Sequence, residues 1–208
     1  MVVTALEKQK KRDNRVSVYI DGKFAFGMSE VDALYYHIKE GAEITQEEYD
    51  KILNELIFVK ARDKAVRLLG FSQKTQKELM QRLSKDYSDE ICERVIELLK
   101  KYGYINDEAY SAAFVNDSFK YKGWGSRRIK AELKNRGVSE ETITAAVEGA
   151  ELDEDARAYE LLKKRLKGNT APDYKERAKQ YRYLAGRGFS YDVINAAFSA
   201  LTDSFTED

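Results

Sequence analysis

The chain repeats part of its own sequence. Residues 133–139 read Leu-Lys-Asn-Arg-Gly-Val-Ser, and residues 184–190, which lie 51 positions later, read Leu-Ala-Gly-Arg-Gly-Phe-Ser. The apolar positions after each serine also correspond: Ile143 with Ile194, Ala146 with Ala197, and Val147 with Phe198. A more degenerate copy begins at residue 83 and continues through Cys92, Val95 and Ile96. Because repeats of this length fold as supersecondary units that pack on their neighbours, the pattern predicts a tandem array.

Each repeat is predicted to contain three helices. In the middle copy we expect Asn106 to cap a helix that runs to about Tyr121, Ser126 to cap a short helix that ends at Gly137, and Ser139 to cap the third. In the turn before the third helix, the glycine supplies a left-handed conformation and the serine supplies the next cap. Short turns of this kind also occur in helix-turn-helix motifs. The predicted fold class is therefore mostly α, with three tandem three-helix, helix-turn-helix-like repeats.

The first 28 residues follow a different pattern. Strand-forming residues lie on both sides of Asp21 and Gly22. This pair is typical of a two-residue hairpin turn, because both central positions of such a turn need positive φ. We predict a short N-terminal β-hairpin in which the facing pairs are Tyr19 with Phe24 and Ser17 with Phe26.

One or two leading helices should join the hairpin to the repeats. Ser29 is expected to cap a helix that runs to about Glu40, and the sequence from Thr45 to Glu48 has the form of a capping box. Whether the helix after Thr45 runs unbroken to Gly70 is left open by the pattern. The predicted domains are 1–60 for the hairpin and leading helices, 61–106, 107–152 and 153–208 for the repeats, the last with a C-terminal tail.

Composition restricts the compartment. Charged residues make up 35% of the chain and Pro172 is its one proline, which suits amphipathic helices. No apolar run approaches about 18 residues, so we expect no membrane span. The first 15 residues lack the apolar core of a secretory signal. A single cysteine permits no internal disulfide and suits a reducing compartment, so a cytoplasmic location is expected.

The sequence offers no catalytic set. One histidine, His37, and one cysteine, Cys92, cannot form a metal cluster, and no cofactor motif is present. Cys92 has the helical spacing of a buried thiol. Residues 123–125, Gly-Trp-Gly, lack the spacing of a phosphate-binding loop and are interpreted as a flexible joint between helices. The acidic residues cluster at predicted helix starts, where they complement the helix dipole. We therefore predict that the chain is not an enzyme.

The basic residues are concentrated in two segments although the net charge of the chain is zero. Residues 119–136 carry a local balance of +6 and residues 163–187 one of +7. For any single lysine or arginine a solvated helix face is a sufficient explanation, but the segregation of charge in both segments favours an anionic partner. The candidate partner- or DNA-binding residues are Lys120, Lys122, Trp124, Arg127, Arg128, Lys130, Lys134, Arg136, Lys179, Arg182 and Arg187.

The repeats resemble the RecX family of bacterial regulatory proteins. The resemblance rests on Glu78-Leu79, on the Gly-Tyr-Ile-Asn-Asp stretch at 103–107 followed by Tyr110 and Phe114, on Gly125, Ile129, Leu133 and Gly137, and on Arg-Gly-Phe-Ser at 187–190. It covers roughly residues 60–200. Family members often carry two arginines before the last Gly-Phe, whereas here the first of these positions is Gly186.

The resemblance implies an elongated, curved array that lies in the groove of the RecA filament on single-stranded DNA. From there such a protein suppresses ATP hydrolysis, strand exchange and coprotease activity, or promotes filament disassembly. The expected partners are thus the RecA filament and single- or double-stranded DNA, and we expect a monomer. Two alternatives stay open: a tandem helix-turn-helix protein that binds DNA without RecA, and an adaptor that binds protein alone.

Overall fold

The structure, a computed structural model, describes residues 1–9, 14–167, 169 and 172–203. The predicted C-terminal tail from residue 204 onward lies outside the described residues. The chain forms two compact units, Met1–Ile105 and Asn106–Asp208. The mostly helical fold class with three helix triples is confirmed, and the domain boundaries at 60, 106 and 152 stay a prediction.

The first unit opens with a three-stranded antiparallel sheet, where we expected only a hairpin. Its strands are β1 (Val3–Lys8), β2 (Arg15–Ile20) and β3 (Lys23–Ser29), in the order β1-β2-β3. Strand β1 was not predicted, because its charged residues interrupt the alternation of apolar and polar positions that is typical of a half-buried strand. It is nevertheless held by pairing along the length of β2.

The hairpin between β2 and β3 turns at Asp21 and Gly22, whose φ angles are +48° and +77°. This confirms the turn, since both positions lie in the left-handed region. Tyr19 faces Phe24 as predicted, with an edge-to-face ring contact at 5.9 Å between centroids. The other predicted pair is wrong, because an irregularity between Val18 and Tyr19 shifts the register. In the structure the paired residues are Val18 with Phe26 and Ser17 with Gly27.

The helices of the first unit follow the sheet in chain order. They are α1 (Glu30–Tyr35), α2 (Gln46–Lys51), a π-helical segment (Ile52–Ile57), α3 (Phe58–Phe71), α4 (Gln76–Leu83) and α5 (Asp89–Lys101). Ser29, Thr45 and Thr75 each cap a helix through a complete capping box. Helix α1 ends at Tyr35 and not near Glu40, because the backbone turns left-handed at His37 with φ +54°.

One continuous core fills the first unit. The buried side chains of β2 and β3 pack with the π-helical segment, α3, α4 and α5. Cys92 of α5 is fully buried in this core, as its spacing predicted. Burial raises the pKa of its thiol to about 11, so the group is protonated at neutral pH. The largest fully buried side chains of this core are Met28, Ile52, Ile57, Leu79, Leu83 and Ile91.

The second unit consists of two helix triples. Its helices are α6 (Asp107–Lys120), α7 (Ser126–Asn135), α8 (Glu140–Glu148), α9 (Glu154–Leu166), α10 (Tyr174–Gly186) and α11 (Tyr191–Asp203). Asn106 caps α6 and Asp153 caps α9 in the same way, each side chain accepting a hydrogen bond from the backbone three residues on. Ser139 caps α8 as predicted. Gly137 and Gly188 have φ of +82° and +91°, which confirms the left-handed turn in both repeats.

The prediction that Ser126 caps α7 is wrong. The N-cap is Gly125, whose hydrogen side chain offers no acceptor, and Ser126 is the first residue of the helix. Its backbone N–H donates instead to the carboxylate of Glu154, from the start of the next repeat. The four unpaired N–H groups of a helix start need acceptors, and here a distant side chain supplies one of them.

Candidate partner-binding surface

Helix α7 separates apolar from basic residues. Ile129 and Leu133 are fully buried on one face, where they belong to the core of the second repeat. Arg127 and Lys134 lie about 100–160° around the helix from these two residues, and Lys130 lies about 60–100° from them, at 3.6 residues per turn. Arg127 and Lys134 are exposed and Lys130 is half-buried. The face therefore presents three cations that the core does not use.

One of these three cations has a neighbour of opposite charge. The Nζ atom of Lys134 lies 3.2 Å from a carboxylate oxygen of Glu140, and both side chains are about 70% exposed. An ion pair so open to water contributes at most about 1 kcal/mol and is easily exchanged. Within the described part of the chain, Arg127 and Lys130 have no acidic partner. Their charge is thus available to a ligand.

Trp124 lies between α6 and α7 and carries two cations over its ring. The Nζ atom of Lys122 is 4.5 Å from the ring centroid, and the guanidinium carbon of Arg128 is 4.2 Å from it. Lys122 also lies 4.9 Å from the ring centroid of Phe114. Each such cation–π contact contributes about 0.5–2 kcal/mol, depending on desolvation. Trp124, half-buried and already stacked, is therefore part of the packing of the second repeat and not a free platform for a base.

The turn between α10 and α11 docks on the start of α7. The N–H of Gly125 donates to the carbonyl of Arg187 at 2.9 Å. Arg187 Nη1 donates to the carbonyl of Lys122 at 2.8 Å, and Arg128 Nη1 donates to the carbonyl of Gly186 at 3.1 Å. These three hydrogen bonds join the second and third repeats within one compact unit. They use two of the candidate arginines as structural groups.

Two glycines make this docking sterically feasible. A Cβ atom at Gly188 would lie 2.4 Å from the backbone nitrogen of Arg128, and one at Gly125 would lie 2.7 Å from the carbonyl oxygen of Gly188. Both distances are shorter than real Cβ contacts, so only glycine fits without movement of the backbone. The interpretation of residues 123–125 as a flexible joint is therefore wrong. Gly123 and Gly125 are buried in a close contact between repeats.

The arginine that precedes each left-handed glycine also has a structural role. The guanidinium of Arg136 lies over the ring of Phe114 at 5.1 Å, and that of Arg187 lies over the ring of Tyr183 at 4.5 Å. In both residues the Nε atom is buried. The same position of two repeats is thus occupied by a cation packed on an aromatic ring, which explains why the repeat retains Arg-Gly in its turn.

The eleven candidate residues divide into two groups. Lys122, Trp124, Arg128, Arg136 and Arg187 lie in the packing within and between the two repeats. Helix α7 carries Arg127, Lys130 and Lys134 on its outer face, helix α6 ends with the exposed Lys120, and helix α10 carries the exposed Lys179 and Arg182. Of these, Lys179 lies 3.4 Å from Glu176. The second group is the more open to solvent, with Lys130 half-buried, and Lys122 of the first group is also exposed.

Several residues of this region were missed by sequence reasoning. Glu154 was assigned to the dipole of its own helix, yet it accepts the N–H of Ser126. Arg157 donates to the carbonyl of Lys120 at 2.5 Å, and Arg165 lies over the Tyr183 ring at 3.9 Å. All three belong to α9, whose correspondence with α6 is hidden because α10, with 13 residues, is longer than α7, with 10, so the offset between the repeats changes along the chain. The cap residues Asn106 and Asp153, 47 positions apart, give the signal that could have aligned the two helices.

The fold and surface define a class: a protein of tandem three-helix repeats, joined by glycine contacts and carrying a basic outer face. Models of four RecX domains match the chain in order: the N-terminal domain at 1–45, the first three-helix domain at 61–99, the second at 106–147 and the third at 153–198. The chain belongs to the RecX family of regulatory proteins, as the sequence resemblance indicated.

Relatives and solved structures agree with this assignment. The chain is 34% identical to the regulatory protein RecX of Clostridioides difficile (strain 630), with 96% of this chain and 95% of the relative covered. It is 32% identical to that of Clostridium perfringens (strain SM101 / Type A), with 97% of each covered. The crystal structure of a regulatory protein RecX, 24% identical, aligns with a TM-score of 0.60 over 93% of this chain and 97% of that one. The crystal structure of RecX from Lactobacillus salivarius, also 24% identical, aligns with a TM-score of 0.62 over 69% of this chain and 96% of that one.

The described ranges contain no group of three or more His, Cys, Asp or Glu side chains placed to hold a metal ion. None of their helices combines the length and apolar character that crossing a membrane requires. The relatives named above are regulatory proteins.

Proposed function

We propose that this protein binds the RecA filament on single-stranded DNA and modulates its ATPase, strand-exchange and coprotease activities, with inhibition as the expected direction. It would thereby act in recombination, DNA repair and SOS regulation, as a monomer in the cytoplasm. The proposal rests on membership of the RecX family together with one observation, the basic face of α7 formed by Arg127, Lys130 and Lys134, of which only Lys134 has an acidic neighbour in the described part of the chain.

A basic face of this kind suits a groove lined by DNA phosphates and acidic side chains. Lys120 at the end of α6 and Arg182 on α10 add exposed positive charge in the same unit. Electrostatic attraction of this sort steers association and depends on salt. Inhibition then needs no covalent step, because a protein that bridges neighbouring filament subunits hinders their rearrangement by binding alone.

The proposal is tested with RecA assembled on single-stranded DNA. Added at stoichiometric ratio, the wild-type protein should lower the rates of ATP hydrolysis and strand exchange. The variant Arg127→Glu, Lys130→Glu, Lys134→Glu should need at least about tenfold more protein for the same inhibition, since three charges are reversed. Absence of any effect of the wild-type protein on either rate would refute the proposal.

A matched control distinguishes the effect of this face from the effect of net charge. Lys23, Lys51 and Lys77 are exposed lysines of the first unit, on β3, α2 and α4. Reversing them to Glu changes the net charge by the same amount as the α7 variant. The control should inhibit like wild type, with both variants retaining the wild-type circular dichroism. Equal loss in the two variants would show that the α7 face is not the contact surface.

A second candidate function, DNA binding without RecA, is favoured by one aromatic side chain. Tyr121 is 81% exposed and lies between Lys120 and Lys122 in the sequence, so a base could stack on it while the lysines meet phosphates. A gel shift across salt concentrations distinguishes the two functions. Tight binding to naked DNA that falls steeply with salt, and that Tyr121→Ala weakens, would support this alternative.

A further inference from the structure

A polar pocket of about 500 Å³ lies in the first unit. It is bounded by the start of β2, one face of α3 and the turn between α4 and α5. Its lining residues are Arg15, Lys60, Asp63, Lys64, Arg67, Asp86 and Tyr87. From α3 come Lys60, Lys64 and Arg67, spaced so that they share one face of that helix.

The carboxylates around the pocket are already neutralised. Asp86 is paired with Lys64, which also donates to the carbonyl of Arg82 at 2.9 Å. Asp63 accepts from Arg62 at 2.8 Å and 3.1 Å. Each of these acids therefore has its own cation.

Asp32, beside the pocket, is likewise paired with Lys60. Burial alone would raise the pKa of Asp32, but hydrogen bonds from Lys60 and Ser29 outweigh it and hold the pKa below its ordinary value. Counting Asp32 and Arg62 with the lining residues gives five basic against three acidic side chains. The excess of two positive charges falls on Arg15 and Arg67.

These two guanidinium groups are the chemistry that the pocket offers to a ligand. Arg15 Nη2 donates to the carbonyl of Gly27 at 3.1 Å, which fixes the side chain, while its Nε atom is buried without a hydrogen bond. Arg67 is exposed at the rim and has no acidic partner within the described ranges. A partly desolvated cation of this kind is stabilised by an anion that accepts several hydrogen bonds.

We propose that this pocket binds a phosphate group. Arg15 and Arg67 recognise it, and Lys60 and Lys64 line the same pocket. Phosphate suits the site better than a carboxylate, because its oxygens can accept from several donors at once and match the guanidinium fork. The volume is large enough for a phosphate carried on a larger molecule, since ligand pockets begin at about 300 Å³. The group could be the terminal phosphate of a nucleotide or the phosphodiester of a nucleic acid.

The test is a titration of the full chain by isothermal calorimetry, together with ¹H–¹⁵N spectra of the arginine Nε–H groups. Inorganic phosphate should bind saturably and shift the Arg15 Nε–H signal. Arg67→Gln should weaken binding at least about tenfold. Lys77→Gln is the matched control, because Lys77 is an exposed cation of the same unit that neither lines the pocket nor pairs with any of its acids. Its affinity should stay within about twofold of wild type.

Two further titrants distinguish the source of the phosphate. If adenosine monophosphate competes with inorganic phosphate and an unphosphorylated oligonucleotide does not, the site binds a terminal phosphate. If the oligonucleotide competes with inorganic phosphate, and Arg67→Gln weakens the binding of both to the same extent, the site binds a phosphodiester. No saturable binding of any of the three titrants, or equal losses in Arg67→Gln and Lys77→Gln, would overturn the proposal.

Discussion

Replacing Gly188 by alanine should destabilise the second unit more than any ordinary surface change. Gly188 has φ +91°, and a Cβ atom there would lie 2.4 Å from the backbone nitrogen and 2.5 Å from the Cβ of Arg128. The methyl group therefore meets both a conformational penalty and a steric one. The steric obstacle is backbone of α7 and cannot be relieved by a rotamer change, so the α10–α11 turn has to move.

The cost can be worked out from the contacts that such a movement loses. An L-residue in the left-handed region costs about 1–2 kcal/mol. Shifting the turn by about 1 Å also breaks the hydrogen bonds that Arg187 and Gly186 make with Lys122, Gly125 and Arg128. Each of these contributes about 1 kcal/mol net. The free energy of unfolding of the second unit should therefore fall by about 3–5 kcal/mol.

Trp124 provides a specific probe for this measurement. It is the one tryptophan of the chain, and it lies at the docked turn with Arg128 over its ring. Urea unfolding followed by tryptophan fluorescence thus reports on the second unit. With a slope of about 1.5 kcal/mol per molar urea, the midpoint should fall by about 2–3 M.

Two alanine variants serve as controls. Gly186 has no atom within 4 Å of an added Cβ and lies in a helix, so Gly186→Ala should be neutral or slightly stabilising. Gly103 has φ +72°, but no atom lies within 4 Å of an added Cβ. Gly103→Ala should therefore show only the conformational penalty of about 1–2 kcal/mol, measured by unfolding monitored with circular dichroism. If Gly188→Ala costs no more than Gly103→Ala, the reasoning from steric contact is refuted.

Three further predictions follow from other parts of the molecule. Because burial raises the pKa of the Cys92 thiol to about 11, its reaction with a thiol reagent at pH 8 should be about 100-fold slower in the native protein than in denaturant, and equal rates would contradict this. Asp32→Asn should cost about 1 kcal/mol at pH 7; because the folded pKa of Asp32 is lowered, that difference should shrink as the pH falls below the ordinary value of 3.8 and be lost once Asp32 is protonated in the folded protein, and a loss unchanged at low pH would count against it. Arg187→Ala should destabilise the second unit by about 2 kcal/mol, whereas Arg182→Ala should change it by less than about 0.5 kcal/mol; similar losses in fluorescence-monitored unfolding would show that the turn contacts contribute little.

Local signals in the sequence were sufficient for much of the fold. Asp21-Gly22 predicted its turn because the required φ angles are a property of those two residues. The caps Thr45, Asn106 and Ser139 were predicted for the same reason, since an N-cap hydrogen bond spans only three residues. Strand β1 could not be predicted in this way, because its stability comes from pairing with β2 and not from its own composition.

The candidate surface was only partly predictable for a related reason. Helical periodicity placed Arg127, Lys130 and Lys134 opposite Ile129 and Leu133, and this depends on a single helix. The roles of other cations depend on contacts between residues about 60 positions apart. Arg128 with Gly186 and Arg187 with Lys122 are such contacts. No pattern within one repeat indicates them.

The positions of the arginines within the repeats suggest how structure and recognition are divided. Arg136 and Arg187 occupy the same position before a left-handed glycine, and both pack on aromatic rings with a buried Nε. Cations at these positions stabilise the turn, so a substitution there changes the stability of the fold as well as any binding. The cations on the outer face of α7 have no such structural role. The core contacts of that helix are made by Ile129 and Leu133. Charge on that face can therefore be changed while the repeat remains folded, so its effect on the proposed binding can be measured without a loss of stability.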